Sequence, residues 1–91
     1  MKIRYFATLR SLVRANEEIW NEPTGTLGEL IVRLCQKYGS EFNRWVSKEE
    51  GCFGVLSIFL VNGIDYRSLD GLETRLNPED EISIFPPVAG G

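Results

Sequence analysis

The fold is decided by the segment Thr26-Leu27-Gly28-Glu29-Leu30-Ile31-Val32-Arg33-Leu34-Cys35-Gln36-Lys37-Tyr38. Its apolar side chains recur at helical spacing over several turns. Thr26 followed by Glu29 matches a capping box, and Gly39 suits the end of a helix. The apolar face consists of Leu27, Leu30, Ile31, Leu34 and Tyr38. We therefore predict one amphipathic helix over Leu27–Tyr38, with this face in the core.

The residues before this helix are typical of a β-hairpin. Strict alternation along Lys2–Leu9 predicts a half-buried strand whose inner face holds Ile3, Tyr5, Ala7 and Leu9. The stretch Arg10–Asn16 can turn, and Glu17–Glu22 is predicted to return as a second strand before Pro23 and Gly25 break it.

After the helix, Ser40 is predicted to cap a short second helix with Phe42, Trp45 and Val46 on one side. Val55–Val61 is dense in β-forming residues, and Asn62-Gly63 suits a type I′ turn leading into a return strand, Ile64–Tyr66. The last predicted strand is Glu81–Phe85, with Ile82 and Ile84 pointing inward. Strands gathered around one main helix predict an α+β domain of two layers.

Composition excludes several classes of function. A chain of 91 residues has room for one domain, and 10 Lys and Arg against 13 Asp and Glu give a net charge of −3, which argues against nucleic-acid binding. There is no histidine, so imidazole catalysis and His-ligated metals are absent. We expect no bound cofactor and no metal.

The cellular compartment is inferred from the cysteines and from the start of the chain. Cys35 and Cys52 form no C-x-x-C pair and are too few for a secreted disulfide framework. No apolar run resembles a signal peptide or approaches the ~20 residues of a membrane span. These features predict a cytoplasmic protein that does not enter membranes, with Cys35 as a half-buried packing residue and Cys52 in a loop.

The end of the chain, Ile84-Phe85-Pro86-Pro87-Val88-Ala89-Gly90-Gly91, is its most specific segment. No side chain from Ile82 to Gly91 is charged, so this tip can enter a narrow cleft without desolvating an ion. Pro86-Pro87 favours an extended exit, and the small residues that follow are slim enough to thread. The alternative interpretation is an ordinary floppy terminus.

This tail resembles that of the sulfur-carrier small subunit of molybdopterin synthase, the MoaD family of ubiquitin-like proteins. The resemblance extends through Tyr5-Phe6-Ala7 with Leu9-Arg10, through Val61-Asn62-Gly63 and through Leu69–Thr74. The last of these segments is most similar to archaeal and some bacterial relatives, including the small modifier proteins of archaea. The thiamin-pathway sulfur carriers are similar too.

The resemblance implies a β-grasp fold over residues 1–85, with a mixed sheet whose first and last strands are adjacent and parallel, and an extended tail over residues 86–91. Phe6 and Phe85 would then lie side by side on the face that the main helix leaves uncovered. The implied partner interface comprises Phe6, Arg10, Phe85, Pro86, Pro87, Val88 and Ala89. Ile58, Leu60 and Ile64 are candidates to extend it, and alternation does not decide which face each takes. The alternative is that Phe6 is covered by its own loop.

The resemblance also implies a function for Gly90 and Gly91. An ATP-dependent adenylating enzyme of the ubiquitin-activating type would adenylate Gly91, and a sulfur donor would convert it to a thiocarboxylate. The chain would then serve the large subunit of molybdopterin synthase as a non-catalytic sulfur-donor subunit, with ATP used only by the activating partner. Two alternatives stay open: a protein modifier joined through Gly91 to lysines, and a plain interaction module with an unmodified end.

The remaining candidates for chemistry are carboxylates. Asp70 beside Gly71, and the run Glu79-Asp80-Glu81, resemble metal or acid–base groups. Turn formation and solvation explain them better, so we predict structural roles for them.

Overall fold

The computed structural model describes residues 1–22, 24–46 and 57–86. In this part of the chain one sheet is built from β1 (Lys2–Tyr5), β2 (Glu17–Ile19), β3 (Ile58–Val61), β4 (Ile64–Asp65) and β5 (Glu81–Phe85). The helices are α1 (Thr8–Val13), α2 (Leu27–Tyr38) and α3 (Ser40–Val46), and two short 3-10 turns cover Tyr66–Ser68 and Gly71–Glu73.

The first and last strands form the middle of the sheet. The strand order is β2-β1-β5-β3-β4, and β1 runs parallel to β5, with Lys2 opposite Glu81 and Tyr5 opposite Ile84. The pairs β1–β2, β3–β5 and β3–β4 are antiparallel. The predicted α+β class and the mixed sheet with adjacent, parallel first and last strands are confirmed.

One face of this sheet is covered by α2. Leu30 and Leu34 are fully buried, and the fully buried strand residues alternate along β1 and β5 as Ile3, Tyr5, Ile82 and Ile84. These side chains belong to one apolar cluster, as alternation and helical periodicity predicted. We call the opposite side of the sheet the open face.

The ends of α2 follow the predicted capping chemistry with one difference. The Thr26 hydroxyl accepts from the Glu29 amide at 3.3 Å. The Glu29 carboxylate in turn accepts from the amide of Gly25 at 3.0 Å, one residue before the position that a capping box uses. Gly39 ends the helix with φ 85°, a conformation that favours glycine.

The predicted hairpin at the start of the chain is wrong in detail. Strand β1 ends at Tyr5 instead of Leu9, because Ala7 has φ 54° and turns the chain out of the sheet. Ala7 is exposed, whereas Leu9 reaches the core from α1, a helix that occupies part of the predicted turn. The return strand is also shorter than Glu17–Glu22, since β2 ends at Ile19.

The second half of the chain is closer to expectation. Asn62 and Gly63 have φ of 54° and 84°, as the type I′ turn between β3 and β4 requires. Helix α3 has Ser40 as its first residue and not as its cap, and it buries Phe42 as predicted. The side chains of Trp45 and Val46 lie outside the described residues, as do Val55 and Leu56. Tyr66, predicted in β4, begins a 3-10 turn.

A polar cluster that sequence analysis missed ties the edge strand β2 to α2. The Glu18 carboxylate accepts from the Tyr5 hydroxyl, from the Tyr38 hydroxyl at 2.5 Å and from Lys37 Nζ at 2.7 Å. Burial alone raises the pKa of Glu18, but the hydrogen bonds from Lys37, Tyr38 and Tyr5 outweigh it and hold that pKa below its ordinary value. Folding is thereby coupled to the ionised state of Glu18.

Shortening a core side chain of α2 should cost much of the stability of so small a domain. Leu34→Ala removes buried methyl groups and leaves a cavity, so we expect a loss of about 2–5 kcal/mol in the free energy of unfolding, measured by urea denaturation. Val32→Ala on the same helix, where Val32 is 42% exposed, should change it by less than about 0.5 kcal/mol. Equal effects of the two changes would contradict the burial of this face.

The Glu18 cluster should make stability depend on acidity. Because folding lowers the pKa of Glu18, its stabilising contribution is complete above the ordinary value of 4.5 and is lost as the pH falls through the lower folded value. We expect the free energy of unfolding to decline below pH 4.5, and Glu18→Gln to lower it at neutral pH and flatten that decline. Glu17→Gln, on the half-exposed neighbour, is the control. A pH profile that Glu18→Gln leaves unchanged would disprove the coupling.

Candidate functional site

Two phenylalanine rings stack on the open face at the end of the central strand pair. The ring centroids of Phe6 and Phe85 are 4.2 Å apart and the planes differ by 12°. The Phe6 amide donates to the Ile84 carbonyl at 3.2 Å, which extends the parallel ladder by one residue beyond β1. Since Tyr5 and Ile84 point into the core, their chain neighbours Phe6 and Phe85 point outward. The predicted side-by-side placement is confirmed.

Strand β3 adds two aliphatic side chains to this pair. Ile58 lies opposite Phe85 in the antiparallel register, and Leu60 lies opposite Ser83. Both are half-buried, whereas Phe59 and Val61 between and beyond them are buried in the core. Phe6, Phe85, Ile58 and Leu60 thus form a contiguous apolar surface, which we call the aromatic patch.

Ile64, the third candidate, does not belong to the patch. It lies directly opposite Val61, and directly opposed residues in an antiparallel pair share one face of the sheet. Since Val61 is buried on the helix side, Ile64 points to that side too, where it remains 49% exposed at the sheet edge.

The basic side chain of Arg4 borders the patch. The guanidinium carbon of Arg4 lies 5.6 Å from the centre of the Phe6 ring, and its Nη1 is 3.2 Å from a carboxylate oxygen of Glu81. Arg10, which was also predicted at the interface, is exposed on α1, four positions after Phe6. The spacing of two residues predicts that Arg4 and Phe6 share the open face, and the contact between them confirms that Arg4 borders the patch.

The tail leaves the sheet at this patch. Pro86 follows Phe85 directly, is half-buried and is the last described residue. Of the other predicted site residues, Pro87, Val88, Ala89, Gly90 and Gly91 lie outside the described residues, so their positions remain predictions. The described part of the chain therefore ends at the edge of the half-buried aromatic patch, and the sequence that follows carries no charged side chain.

Of the carboxylates predicted to be structural, Asp70 and Asp80 lie in turns, whereas Glu81 borders the patch through its contact with Arg4. Asp80 accepts from the Asn77 amide at 2.8 Å and from the Asn62 side chain at 2.9 Å, so it closes a turn and joins two loops. Asp70 lies in the turn that precedes Gly71–Glu73, where its amide donates to the Thr74 hydroxyl at 3.1 Å. Cys35 packs half-buried against the core as predicted, and it is disulfide-bonded, which the sequence did not predict. Cys52 lies outside the described residues.

Three other kinds of site are relevant to the described residues: a metal centre, a ligand cavity and a membrane span. The described residues contain no group of three or more cysteine or carboxylate side chains placed to hold a metal ion. A cavity of about 300 Å³, lined by Met1, Trp20 and Thr24 on one side and by Leu76, Asn77 and Pro78 on the other, lies at the opposite end of the sheet from the tail. Among the described helices, none is long and apolar enough to cross a membrane.

Similarity to proteins of known sequence agrees with this geometry. The model of the ThiS family matches residues 3–91. Small archaeal modifier protein 3 of Haloferax volcanii is 34% identical over 92 residues, which cover 100% of this chain and 98% of the relative.

Solved structures show the same fold. The solution structure of small archaeal modifier protein 1 from Methanosarcina acetivorans is 30% identical with a TM-score of 0.78, covering 99% of this chain and 94% of that one. A protein from Pyrococcus furiosus, provisionally named molybdopterin converting factor subunit 1, is 26% identical with a TM-score of 0.69, covering 96% and 95%. The chain therefore belongs to the ThiS family of ubiquitin-like sulfur carriers and protein modifiers and has their β-grasp fold.

Proposed function

We propose that this chain is a sulfur carrier whose C-terminal Gly91 is adenylated, converted to a thiocarboxylate and used as the sulfur source of a molybdopterin synthase. The observation that carries the proposal is the stacked pair of Phe6 and Phe85 at the point where the uncharged tail leaves the sheet. A contiguous apolar surface of this kind marks a protein interface, and here it lies where the chain enters the segment that ends in the group proposed to react.

The chemistry requires partners because the terminal carboxylate is inert by itself. With a pKa near 3.5 it is ionised at neutral pH and is a poor acyl donor. Its oxygen attacks the α-phosphate of ATP on the adenylating enzyme, forming the acyl-adenylate and releasing pyrophosphate. A hydrosulfide-level sulfur atom supplied by the donor then attacks the acyl carbon, AMP leaves with its electron pair, and loss of the remaining S–H proton leaves a thiocarboxylate.

The chain contributes the reacting carbonyl and the means of presenting it. Gly90 and Gly91 carry no side chain to obstruct a narrow site, and the aromatic patch supplies the area that holds the partner while the tail reaches in. The catalytic side chains, ATP and the pterin precursor belong to the partners. The large synthase subunit and the adenylating enzyme would use the same face in succession.

A second function is favoured by the similarity to small archaeal modifier protein 3 along the whole chain. In that case the adenylated Gly91 is attacked by a lysine amine of a target protein, forming an isopeptide bond and releasing AMP. The two functions share the tail, the patch and the adenylating enzyme, and they differ in the acceptor.

Removing either ring of the patch should weaken partner binding without unfolding the domain. We expect Phe6→Ala and Phe85→Ala each to cost about 1–3 kcal/mol of binding to the adenylating enzyme of the same organism, measured by calorimetry, because outward aromatic side chains contribute mainly to the complex. Ile64→Ala, an exposed apolar change on the other side of the sheet, is the matched control. A thermal destabilisation as large as the binding loss would show instead that the rings stabilise the fold.

Function should require Gly91 to be the last residue of the chain. One residue added after Gly91 displaces the carboxylate, and Gly90→Val places a branched side chain where the backbone must pass closely. Each change should abolish thiocarboxylate formation in a reaction with ATP, the adenylating enzyme and a sulfur donor, read by intact mass as replacement of one oxygen by sulfur. Val32→Ala is the control and should react like wild type. If the extended chain is thiolated as well as wild type, the carrier function is wrong.

A further inference from the structure

Arg4 occupies a special position at the border of the aromatic patch. It lies opposite Glu17 in β2 and opposite Ser83 in β5, so its side chain projects from the middle of the open face. Its guanidinium rests over the Phe6 ring, with 5.6 Å between the guanidinium carbon and the ring centre. A surface that covers the stacked rings must therefore also cover Arg4.

Besides the Phe6 ring, Arg4 contacts one carboxylate among the described residues, and that ion pair is weak. One nitrogen, Nη1, lies 3.2 Å from Glu81, and the two side chains are 47% and 43% exposed. The neighbouring pair, Lys2 and Glu17, is longer still at 3.9 Å. Within residues 1–22, 24–46 and 57–86, Glu81 is the one hydrogen-bond acceptor of the Arg4 guanidinium, so most of its N–H donors face water there. An exposed pair of this geometry contributes little to stability.

Docking changes the balance for this pair. When a partner covers the patch, water is removed from the guanidinium, and its unpaired donors then carry a desolvation penalty. A single contact to Glu81 does not offset that penalty. A carboxylate on the partner, approaching from above the open face, can accept two parallel N–H bonds in the geometry that arginine favours.

We propose that Arg4 is a specificity-determining residue that exchanges Glu81 for a carboxylate of the partner when the aromatic patch is covered. This inference rests on the carrier function proposed above. The partners that fit this chain are then those that place an acidic side chain at the edge of the pocket receiving Phe6 and Phe85. Glu81 acts as an internal competitor, which holds the guanidinium over the Phe6 ring and makes partners without that carboxylate bind less well.

The test is a double-mutant cycle on binding to the adenylating enzyme of the same organism, measured by calorimetry at low and high salt. Glu81→Gln removes the competitor and should tighten binding by about three- to tenfold at low salt, an effect that high salt reduces. Arg4→Met keeps an apolar stem over Phe6 and should weaken binding by at least a similar factor. In the Arg4→Met background, Glu81→Gln should have no effect, because no guanidinium is left to release.

The controls separate this exchange from a general effect of charge and from loss of folding. Glu73→Gln makes the same change in net charge on the 3-10 turn that contacts α2, and it should not tighten binding. Thermal denaturation of each variant shows whether it is folded, and both Arg4 and Glu81 are exposed enough for substitution without loss of the core.

The outcomes distinguish the inference from the function on which it rests. Unchanged or weaker binding of Glu81→Gln, or tightening that persists in the Arg4→Met background, overturns the exchange while the carrier function stands. If wild type binds the enzyme but gains no sulfur, the carrier function is contradicted. The double-mutant cycle still decides the exchange in that case, because it measures binding and not sulfur transfer. Wild type that does not bind the enzyme overturns both.

Discussion

The parallel pairing of the first and last strands is the constraint on which the rest of the molecule depends. Lys2 to Tyr5 run beside Glu81 to Ile84, so the beginning of the chain and the segment that leads into its tail meet at the centre of the sheet. Parallel strands cannot be joined by a tight turn. The chain between them supplies β2 next to β1, the covering helix α2, and β3 and β4 on the other side of β5. Loss of this strand pairing would disrupt both the packing of the core and the stacking of Phe6 on Phe85.

The same two strands serve stability and presentation through alternate residues. Ile3, Tyr5, Ile82 and Ile84 are fully buried beneath α2, and the residues between and after them face outward. Phe6 and Phe85 fall at the one end where both strands finish, and Pro86 begins the tail there. Rigid support and a half-buried apolar surface are therefore obtained from one ladder of hydrogen bonds, at the point where the chain continues into its last segment.

The charged half of the open face has a different role. Lys2 with Glu17 and Arg4 with Glu81 form pairs of opposite charge across neighbouring strands, which leaves that half without net charge. Such pairs add little stability when exposed. They do impose a chemical requirement on any surface that covers the patch, because the guanidinium of Arg4 must find acceptors once water is excluded.

Local patterns predicted much of the fold. Helix α2 has the predicted bounds of Leu27–Tyr38, and the turn at Asn62-Gly63 and the last strand were also predicted correctly, since each depends on spacing or backbone preference within a short segment. The pairing of Phe6 with Phe85 required the family resemblance, because contacts between distant segments leave no local pattern. Residues 87–91 of the site lie outside the described residues.

The errors and omissions have physical causes. Alternation continued to Leu9, but the positive φ of Ala7 ended the strand, and Leu9 is buried from a helix instead. The sequence did not predict the Glu18 cluster, because Tyr5 counts as apolar in the strand alternation and Tyr38 counts as apolar in the helical pattern. Their hydroxyl groups contact Glu18 only when β1, β2 and α2 pack together.

The most direct measurement of the central claim, that the open face exists to present a reactive C-terminus, is the state of Gly91 in the cell. Protein purified from its native organism, without a tag at either end, would be analysed by intact mass and by peptide mapping of the C-terminal fragment. We predict a population in which one oxygen is replaced by sulfur at Gly91, or one in which Gly91 is joined to a lysine of another protein. A Gly91 found only as the free carboxylate, under growth conditions in which molybdopterin is being made, would contradict the claim.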